Sequence, residues 1–401
     1  MRKGLLALIL VGISGYVGFL LGKQTLAVEF RNYKPTVVLN RETAQPKEVD
    51  FSMFWLVWDK LARSYVDKTA INSQKMVEGA IAGMVAALGD PYTVYLPKKA
   101  NEDAKADLGG AFEGVGIQLG YKEKVLAVVA PLEGTPAKAA GVKPGDLIVH
   151  VKDEAKKIDR DTDGMTVPEA VGIIRGPKGT GVELTLIREG KEEPIKVLLT
   201  RDTIVVKSVV LEINDNVAHL KLNRFGDRTQ EEWNEAVAQI VAKGARGMVL
   251  DLRNNPGGYL DGAVYLASEF LPVGKTVVIQ QHGDGTKQES KVTRGGKLQK
   301  IALVVLVNEG SASASEILAG ALADWHRAKI VGMKSFGKGS VQQPDDFADG
   351  SGIHITIARW LRPSGEWIDK KGITPDVEVK PENGNGDEMK DVQLEKAREL
   401  L

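Results

Sequence analysis

The chain of 401 residues contains no cysteine. This absence excludes a cysteine nucleophile, disulfide bonds and thiolate metal sites. Histidine is scarce, and the five imidazoles show no spacing that is typical of metal ligands. We therefore expect neither a metal nor another cofactor. The formal net charge is zero, which removes the electrostatic reason to expect nucleic acid as a partner.

The composition is that of a soluble globular protein, with 43% apolar and 26% charged residues. One uncharged run departs from it, the 19 residues 4–22 that follow Arg2 and Lys3. Its length suits a membrane span, and the basic residues before it predict that the rest of the chain lies outside the cytoplasm. We expect a single-pass membrane anchor, or a signal segment whose removal leaves a periplasmic or secreted protein.

Changes in pattern divide the chain into six segments. Residues 51–65 and 73–88 have helical apolar spacing, and Asp90-Pro91-Tyr92-Thr93 after them predicts a turn. Short β-runs with glycine turns follow, and an α/β pattern begins near residue 202. The predicted segments are an anchor or uncleaved signal (1–22), a tether (23–50), an N-terminal helical region (51–105), a β-rich domain (106–201), an α/β core (202–380) and a helical tail (381–401).

Two strands of the predicted core carry further expectations. Residues 247–252 are almost continuously apolar, which predicts a strand in a sheet that is covered on both faces. Residues 351–359 alternate between apolar and polar side chains, which predicts an edge strand or a returning strand.

Three polar features fall at strand ends of this core. Ser313 precedes a predicted helix, Lys338 lies on a glycine-flanked turn, and Gly257-Gly258 follow a strand. Each has an ordinary explanation, since Ser313 with Glu316 fits a capping box, a lone lysine is commonly solvated and paired glycines make turns. Together they are the nucleophile, base and oxyanion donors that acyl transfer requires. Ligands of such sheets bind at the carboxyl ends of strands.

Lysine and histidine are both candidates for the base. A free lysine has a pKa of about 10.4, so Lys338 must be desolvated, or lie near positive charge, to be neutral near pH 7. His326 is the rival, but the 13 residues that separate it from Ser313 span about 20 Å along a helix. His219 and His354 have no support from their positions in the sequence.

The sequence resembles the carboxyl-terminal processing peptidases, a family of serine proteases that includes tail-specific protease. The resemblance rests on NEGSASASEIL (308–318), FGKGSVQ (336–342) and DLRNNPGG (251–258), and it spans roughly residues 50 to 400. It implies a multidomain α/β protein with a crotonase-like (ClpP/crotonase) peptidase core and no cofactor. It also implies a Ser-Lys dyad with these members: the nucleophile Ser313, the base Lys338, Gln342 to orient the lysine, and oxyanion N–H donors from Ala314 and from Gly257 or Gly258. Asp324 matches an acidic position near the site, without a defined role.

The β-rich segment resembles a PDZ domain. The resemblance implies that the glycine loop receives the terminal carboxylate of a peptide, which then adds as a strand. This loop consists of Gly114, Val115, Gly116 and Ile117. Arg175, in the loop after the groove helix, is a candidate for gating between this domain and the catalytic core.

The leading hypothesis is a membrane-tethered serine endopeptidase whose partners are proteins or peptides with free C-termini. A monomer and a homodimer both stay open. A non-catalytic peptide-binding scaffold is the first alternative, and intact Ser313, Lys338 and Gly257-Gly258 argue against it. A crotonase-like acyl-CoA enzyme is the second, and the PDZ-like segment argues against it.

Overall fold

The computed structural model describes residues 26–31, 34–39, 50–122, 125–132, 134–165, 167–381 and 391–401. Two compact units divide the chain, residues 1–77 and residues 78–401. The predicted anchor, residues 1–22, lies outside the described residues. Within the described ranges, no helix has the length and apolar character needed to cross a membrane.

The first unit contains a hairpin and a helix. Strands β1 (Leu26–Arg31) and β2 (Lys34–Leu39) pair antiparallel within the segment predicted as a tether. The period-two apolar pattern of LAVEFR explains the strand, although the polar composition around it favoured an irregular segment. Helix α1 (Ser52–Ser64) confirms the first predicted helix, and its large apolar side chains are exposed. Helix α2 (Ser73–Ala86) confirms the second and continues into the next unit.

A linking region precedes the β-rich domain. It comprises strand β3 (Val94–Leu96), helix α3 (Lys98–Leu108) and strand β4 (Ala111–Gly114). Helix α3 crosses the predicted boundary at residue 105. Its sequence KKANEDAKADL has only three alanines and Leu108 as apolar residues, and a stripe this narrow does not reveal a helix by periodicity.

Residues 117–200 form an antiparallel sheet with two helices. The strands are β5 (Ile117–Lys122), β6 (Val125–Pro131), β7 (Leu147–Asp153), β8 (Ile158–Asp161), β9 (Gly181–Ile187) and β10 (Ile195–Thr200). Their order is β10-β9-β7-β6-β5, with β8 on β7, so β5 is an edge strand. The helices are α4 (Pro136–Ala139) and α5 (Val167–Ile174). Strand β11 (Asp202–Val205) then pairs with β4, across the predicted boundary at residue 201.

The α/β core is built on a six-stranded sheet. Its strands, in spatial order, are β12 (Val209–Asn214), β13 (Val217–Leu222), β14 (Gly247–Asp251), β17 (Ala302–Val307), β18 (Lys329–Gly332) and β21 (Val377–Glu378). All neighbours from β13 onward are parallel. Met248 and Leu250 join one apolar cluster and Val249 joins another, which confirms that both faces of β14 are covered.

A second, antiparallel sheet lies beside the core helices. It contains β15 (Thr276–His282), β16 (Lys287–Lys291), β19 (Ser340–Asp346) and β20 (Gly352–Leu361). The core helices are α6 (Thr229–Ala242), α7 (Leu260–Ala267) and α8 (Ala314–Asp324). Of the two alternatives for residues 351–359, the returning strand is confirmed, because β20 runs back antiparallel beside β19, and the edge strand is wrong, because β20 also pairs with β15 and β3.

The C-terminal helix α9 (Val392–Glu399) covers the outer face of the parallel sheet. One arginine fastens it there. Arg253 Nη2 donates to Asp251 Oδ2 at 2.6 Å and to Asp391 Oδ2 at 2.7 Å. Burial alone would raise the pKa of Asp251, but hydrogen bonds from His219 and Arg253 hold it at about 2. The loop that begins at Asp251 is therefore joined to the end of the chain.

We expect Arg253→Ala to lower the free energy of unfolding by about 3 kcal/mol, since it leaves the buried Asp251 carboxylate without its cation. Chemical denaturation monitored by circular dichroism measures the change. Arg63→Ala is the matched control, because Arg63 forms an exposed ion pair with Asp59 and its loss should change little. The depressed pKa of Asp251 makes its contribution complete above about pH 4 and lost as the pH falls towards 2. A wild-type–variant difference that stays constant over that range would contradict the assignment.

Candidate active site

Ser313 occupies a strained turn at the start of helix α8. Its backbone angles are φ 56° and ψ −117°, in a region that non-glycine residues rarely adopt. Such strain is kept where the surrounding contacts over-determine the backbone, and it clusters at functional sites. The helix N-terminus brings free N–H groups and a partial positive charge to the same place.

The two flanking serines explain why the middle serine of SASAS is available. Ser311 and Ser315 are fully buried. Ser311 Oγ donates to the carbonyl oxygen of Leu252 at 2.8 Å, and Ser315 Oγ donates to that of Asn255 at 2.9 Å. Both hydroxyls thus join the helix start to the loop after β14, whereas Ser313 faces a cavity.

The paired glycines pack directly against this turn. A Cβ on Gly257 would lie 2.7 Å from the carbonyl oxygen of Ala312 and 2.9 Å from Ser313 Cβ, so only glycine fits. Gly257 N–H donates to Asn255 Oδ1 at 2.9 Å and is therefore engaged. Gly258 lines the cavity together with Ser313. Of the two predicted oxyanion donors in this loop, the geometry favours Gly258.

A buried carboxylate connects the serine turn to the lysine turn. Glu316 is fully buried, and each of its oxygens accepts two hydrogen bonds. Oε1 accepts from Ser335 Oγ at 2.5 Å and from Gly337 N at 2.7 Å. Oε2 accepts from Ser313 N and from Lys338 N, each at 2.9 Å. Glu316 therefore does more than cap the start of helix α8, because it fixes the backbones of Ser313 and Lys338 at once.

The cavity that these turns border has a volume of about 630 Å³. Its polar lining includes Ser313, Lys338, Gln342 and His354, so these four residues border one cavity. Much of the remaining wall is apolar. Residues of this kind are Leu108, Tyr259, Leu260, Ile317, Val341 and Trp360. A polypeptide segment with an apolar side chain matches such a lining.

The protonation of Lys338 reflects opposing effects. Burial lowers the pKa of its amine below the ordinary value, while the charges of Asp90 and Glu316 act in the opposite direction. The net direction is downward, which favours the neutral amine that a base requires.

Gln342 and Asp324 lie in different surroundings. Gln342 Nε2 donates to Ser340 Oγ at 2.9 Å and to Thr356 Oγ1 at 3.0 Å, so here its amide nitrogen is directed at hydroxyls. Asp324 forms an ion pair with Arg362 and accepts from Ser364 N at 2.9 Å. It lines a different cavity from Ser313, so its role is to anchor a loop.

Three of the histidines lie in different parts of the core. His326 follows the end of helix α8 in a left-handed conformation and lines the same distant cavity as Asp324. His219 Nε2 lies 3.2 Å from Asp251 Oδ2. His354 lines the cavity beside Ser313, a placement that its sequence position did not indicate. Burial and the charge of Lys338 lower the pKa of His354.

The glycine loop of the β-rich domain lies at the start of its edge strand. Gly116 has a φ of 79°, and Thr135 fills the space that a Cβ would need. Val115 is buried, and a Cβ on Gly114 would lie 3.2 Å from the Phe112 ring and 3.6 Å from Arg175 Cγ. The Arg175 guanidinium lies 4.2 Å from the centroid of the Phe112 ring.

Two features escaped the sequence argument. Glu316 was visible only as the last letter of a capping box, because spacing does not show that four donors converge on it. The turn of residues 90–93 was visible only as a turn. In the structure the Tyr92 ring lies 4.9 Å from Lys338 Nζ, a contact between residues far apart in the chain.

Comparison with known proteins now defines the class. The profile of Peptidase family S41 matches residues 216–379, and that of the Activating protease CtpB N-terminal domain matches residues 10–100. The chain belongs to peptidase family S41 and is a serine-type peptidase of the carboxyl-terminal processing group. This decides among the three hypotheses in favour of the peptidase.

Particular relatives agree with that assignment. The chain is 37% identical over 343 residues to carboxy-terminal processing protease CtpA of Bacillus subtilis, covering 85% of this chain and 72% of the relative. It is 39% identical over 345 residues to a probable CtpA-like serine protease of Staphylococcus epidermidis, covering 85% and 67%. Among solved structures it resembles the photosystem II D1 C-terminal processing protease, with a TM-score of 0.52, 30% identity and coverage of 82% and 93%.

We expect Glu316→Gln to lower peptidase activity by at least about 100-fold, because a misplacement of the reacting groups by about 1 Å has that cost. The amide nitrogen would face two N–H or O–H donors, which should also lower the free energy of unfolding by about 2 kcal/mol. Hydrolysis of casein and chemical denaturation measure the two effects. Glu309→Gln, on the exposed turn before Ser311, is the matched control. Wild-type activity in Glu316→Gln would show that the carboxylate does not hold the two turns in register.

Proposed function

We propose that this peptidase cleaves polypeptides with a Ser313–Lys338 dyad and recognises the C-terminal end of its substrate through residues 106–201, acting as a PDZ domain. The observation that carries the proposal is the shared cavity of Ser313, Lys338 and Gln342, with Glu316 holding the first two backbones. Each group matches a role that acyl transfer needs.

The proposed mechanism follows from these positions. Lys338, as the neutral amine, accepts the proton of Ser313 while Oγ attacks the scissile carbonyl carbon. The N–H groups of Ala314 and Gly258 stabilise the oxyanion of the tetrahedral intermediate. The resulting ammonium returns the proton to the leaving amine, which departs and leaves an acyl-serine. A water molecule, deprotonated by the same lysine, then releases the new carboxylate and restores Ser313.

Recognition of a carboxyl end has support in the β-rich domain. Strand β5 is an edge strand, so its free side can accept an added peptide strand. The loop Gly114-Val115-Gly116-Ile117 leads into this strand, and in this proposal its backbone N–H groups receive the terminal carboxylate.

Coupling to the catalytic core runs through Asp107 in this proposal. Arg175 of the β-rich domain lies 3.8 Å from Asp107 Oδ1, and Arg224 of the core lies 3.1 Å from Oδ2. Leu108, the next residue of helix α3, lines the catalytic cavity. A peptide that displaces Arg175 would thereby alter the cavity wall.

We also propose an extracytoplasmic location with residues 4–22 as the membrane anchor. The support is the 19-residue uncharged run and the basic residues before it. Processing or quality control of exported proteins would suit this location.

We expect Ser313→Ala and Lys338→Met each to lower casein hydrolysis by at least about 1000-fold. In the wild type the rate should fall as the pH falls through the Lys338 pKa, because protonation removes the base. Burial should place that loss below the pKa of an ordinary lysine.

Two matched variants complete this test. Lys334→Met changes an exposed lysine four residues earlier and should keep the wild-type rate. His354→Gln tests the histidine in the cavity, and it should retain the same rising limb with pH. Loss of that limb in His354→Gln, with activity kept in Lys338→Met, would assign the base to His354 instead.

We expect a peptide with a free carboxyl end to be cleaved at least about tenfold faster than the same peptide with an amidated end, since amidation removes the charge that the glycine loop receives. Equal initial rates would remove recognition of the carboxylate. Arg175→Ala should bring the two rates closer together without changing the binding of the free peptide. Arg160→Ala, an exposed arginine of the same domain, is the matched control.

A further inference from the structure

The turn Asp90-Pro91-Tyr92-Thr93 lies inside the catalytic region of the molecule. Strand β3, which follows it, pairs with β20 through Val94 and His354. This pairing brings the turn alongside Thr356, and the Tyr92 ring lies 4.9 Å from Lys338 Nζ. An ammonium group at this distance from an aromatic face is attracted to it.

Hydrogen bonds extend from the turn to Gln342. The Asp90 carboxylate accepts from Tyr92 N at 3.0 Å and from Thr93 Oγ1 at 2.7 Å. The Thr93 hydroxyl accepts from Thr356 N at 3.1 Å. Thr356 Oγ1 in turn accepts from Gln342 Nε2 at 3.0 Å. Asp90 is therefore joined through Thr93 to Thr356, the residue whose hydroxyl the Gln342 amide meets.

The turn stands behind the site and is separate from the substrate space. Thr93 is buried, and its Oγ1 accepts from Thr356 N at 3.1 Å, which fixes the turn to β20. Among the described residues that border the cavity, Lys338 and Gln342 are present while Asp90 and Tyr92 are not. A change at Asp90 should therefore affect turnover more than substrate binding.

We propose that this turn positions the base: the Tyr92 ring face supports the Lys338 amine, and Asp90 orients Gln342 through Thr356. The inference rests on the proposed Ser-Lys dyad and adds two positioning residues to it. It gives the N-terminal helical region, which supplies the turn, a part in catalysis.

The charges around the amine determine the expected pH effect. The Asp90 and Glu316 carboxylates both favour the ammonium form of Lys338, as does the Tyr92 ring face, and His354 faces the lysine from β20. Burial opposes these groups. Removing the Asp90 charge leaves burial with less opposition, so the amine should lose its proton at a lower pH.

The test measures kcat and KM against pH with a quenched-fluorescence peptide that has a free carboxyl end. We expect Asp90→Asn to move the acid limb of kcat to lower pH by about one unit, with KM within about twofold of the wild type. Tyr92→Leu should lower kcat by at least about tenfold, and Tyr92→Phe, which keeps the ring face, should recover most of that loss.

Asp284→Asn is the matched control. Asp284 lies in an exposed turn, where it accepts from Thr286 N, two residues on as in the Asp90 turn, and from Thr286 Oγ1. It should leave the pH profile unchanged. Circular dichroism confirms that each variant is folded, and Asp90→Asn carries the test if Tyr92→Leu is not.

The outcomes separate the two levels of inference. Wild-type pH profiles in Asp90→Asn and Tyr92→Leu, with Ser313→Ala inactive, would overturn the positioning role and leave the dyad intact. Activity retained in Ser313→Ala or Lys338→Met would overturn the dyad and this inference together. A KM increase with an unmoved acid limb in Asp90→Asn would assign the turn to substrate binding and contradict the proposal.

Discussion

One buried carboxylate holds the catalytic region together. Glu316 accepts hydrogen bonds from the backbone N–H groups of Ser313, Gly337 and Lys338 and from the hydroxyl of Ser335. Burial raises the pKa of this carboxyl, while the four donors act to lower it. Because one carboxylate accepts from both turns, the position of the Glu316 side chain sets the distance between them. The strained backbone of Ser313 is retained because its hydrogen bond to Glu316 is one of the contacts that hold it in this conformation.

The local features of the fold could be predicted from the sequence, since they depend on neighbouring residues. Apolar period and glycine position indicated helix α8, the buried strand β14 and the turn at Lys338. Features that depend on distant partners could not. The apolar residues of helix α3 are three alanines and Leu108, and the helix is also held by polar contacts such as Asn101 with Asp346. Strand β20 alternates like an edge strand, yet three neighbours cover its edges.

The same limit applies within the site. The spacing of SASAS treats Ser311, Ser313 and Ser315 alike, and only the carbonyl partners at Leu252 and Asn255 distinguish the outer two. Family resemblance supplied the choice of the middle serine that spacing alone did not. Asp324 pairs with Arg362, whereas the charge of Asp90 acts on the Lys338 amine, and no local pattern shows this because more than 200 residues separate Asp90 from Lys338 in the chain.

Helix α3 explains how a fold assembled from separate modules can act as one enzyme. Its last turn carries Asp107, which meets one arginine from each side, and Leu108, which borders the catalytic cavity. The Leu108 carbonyl oxygen accepts from Asp227 N at 3.0 Å. A Cβ on Gly226 would lie 2.1 Å from the same oxygen, so only glycine fits at that position. The C-terminal end of helix α3 is therefore fixed to the core by its backbone, while the Asp107 carboxylate is shared between Arg175 and Arg224. In the proposed coupling, a shift in the balance between Arg175 and Arg224 at Asp107 reaches the cavity through the next residue, Leu108.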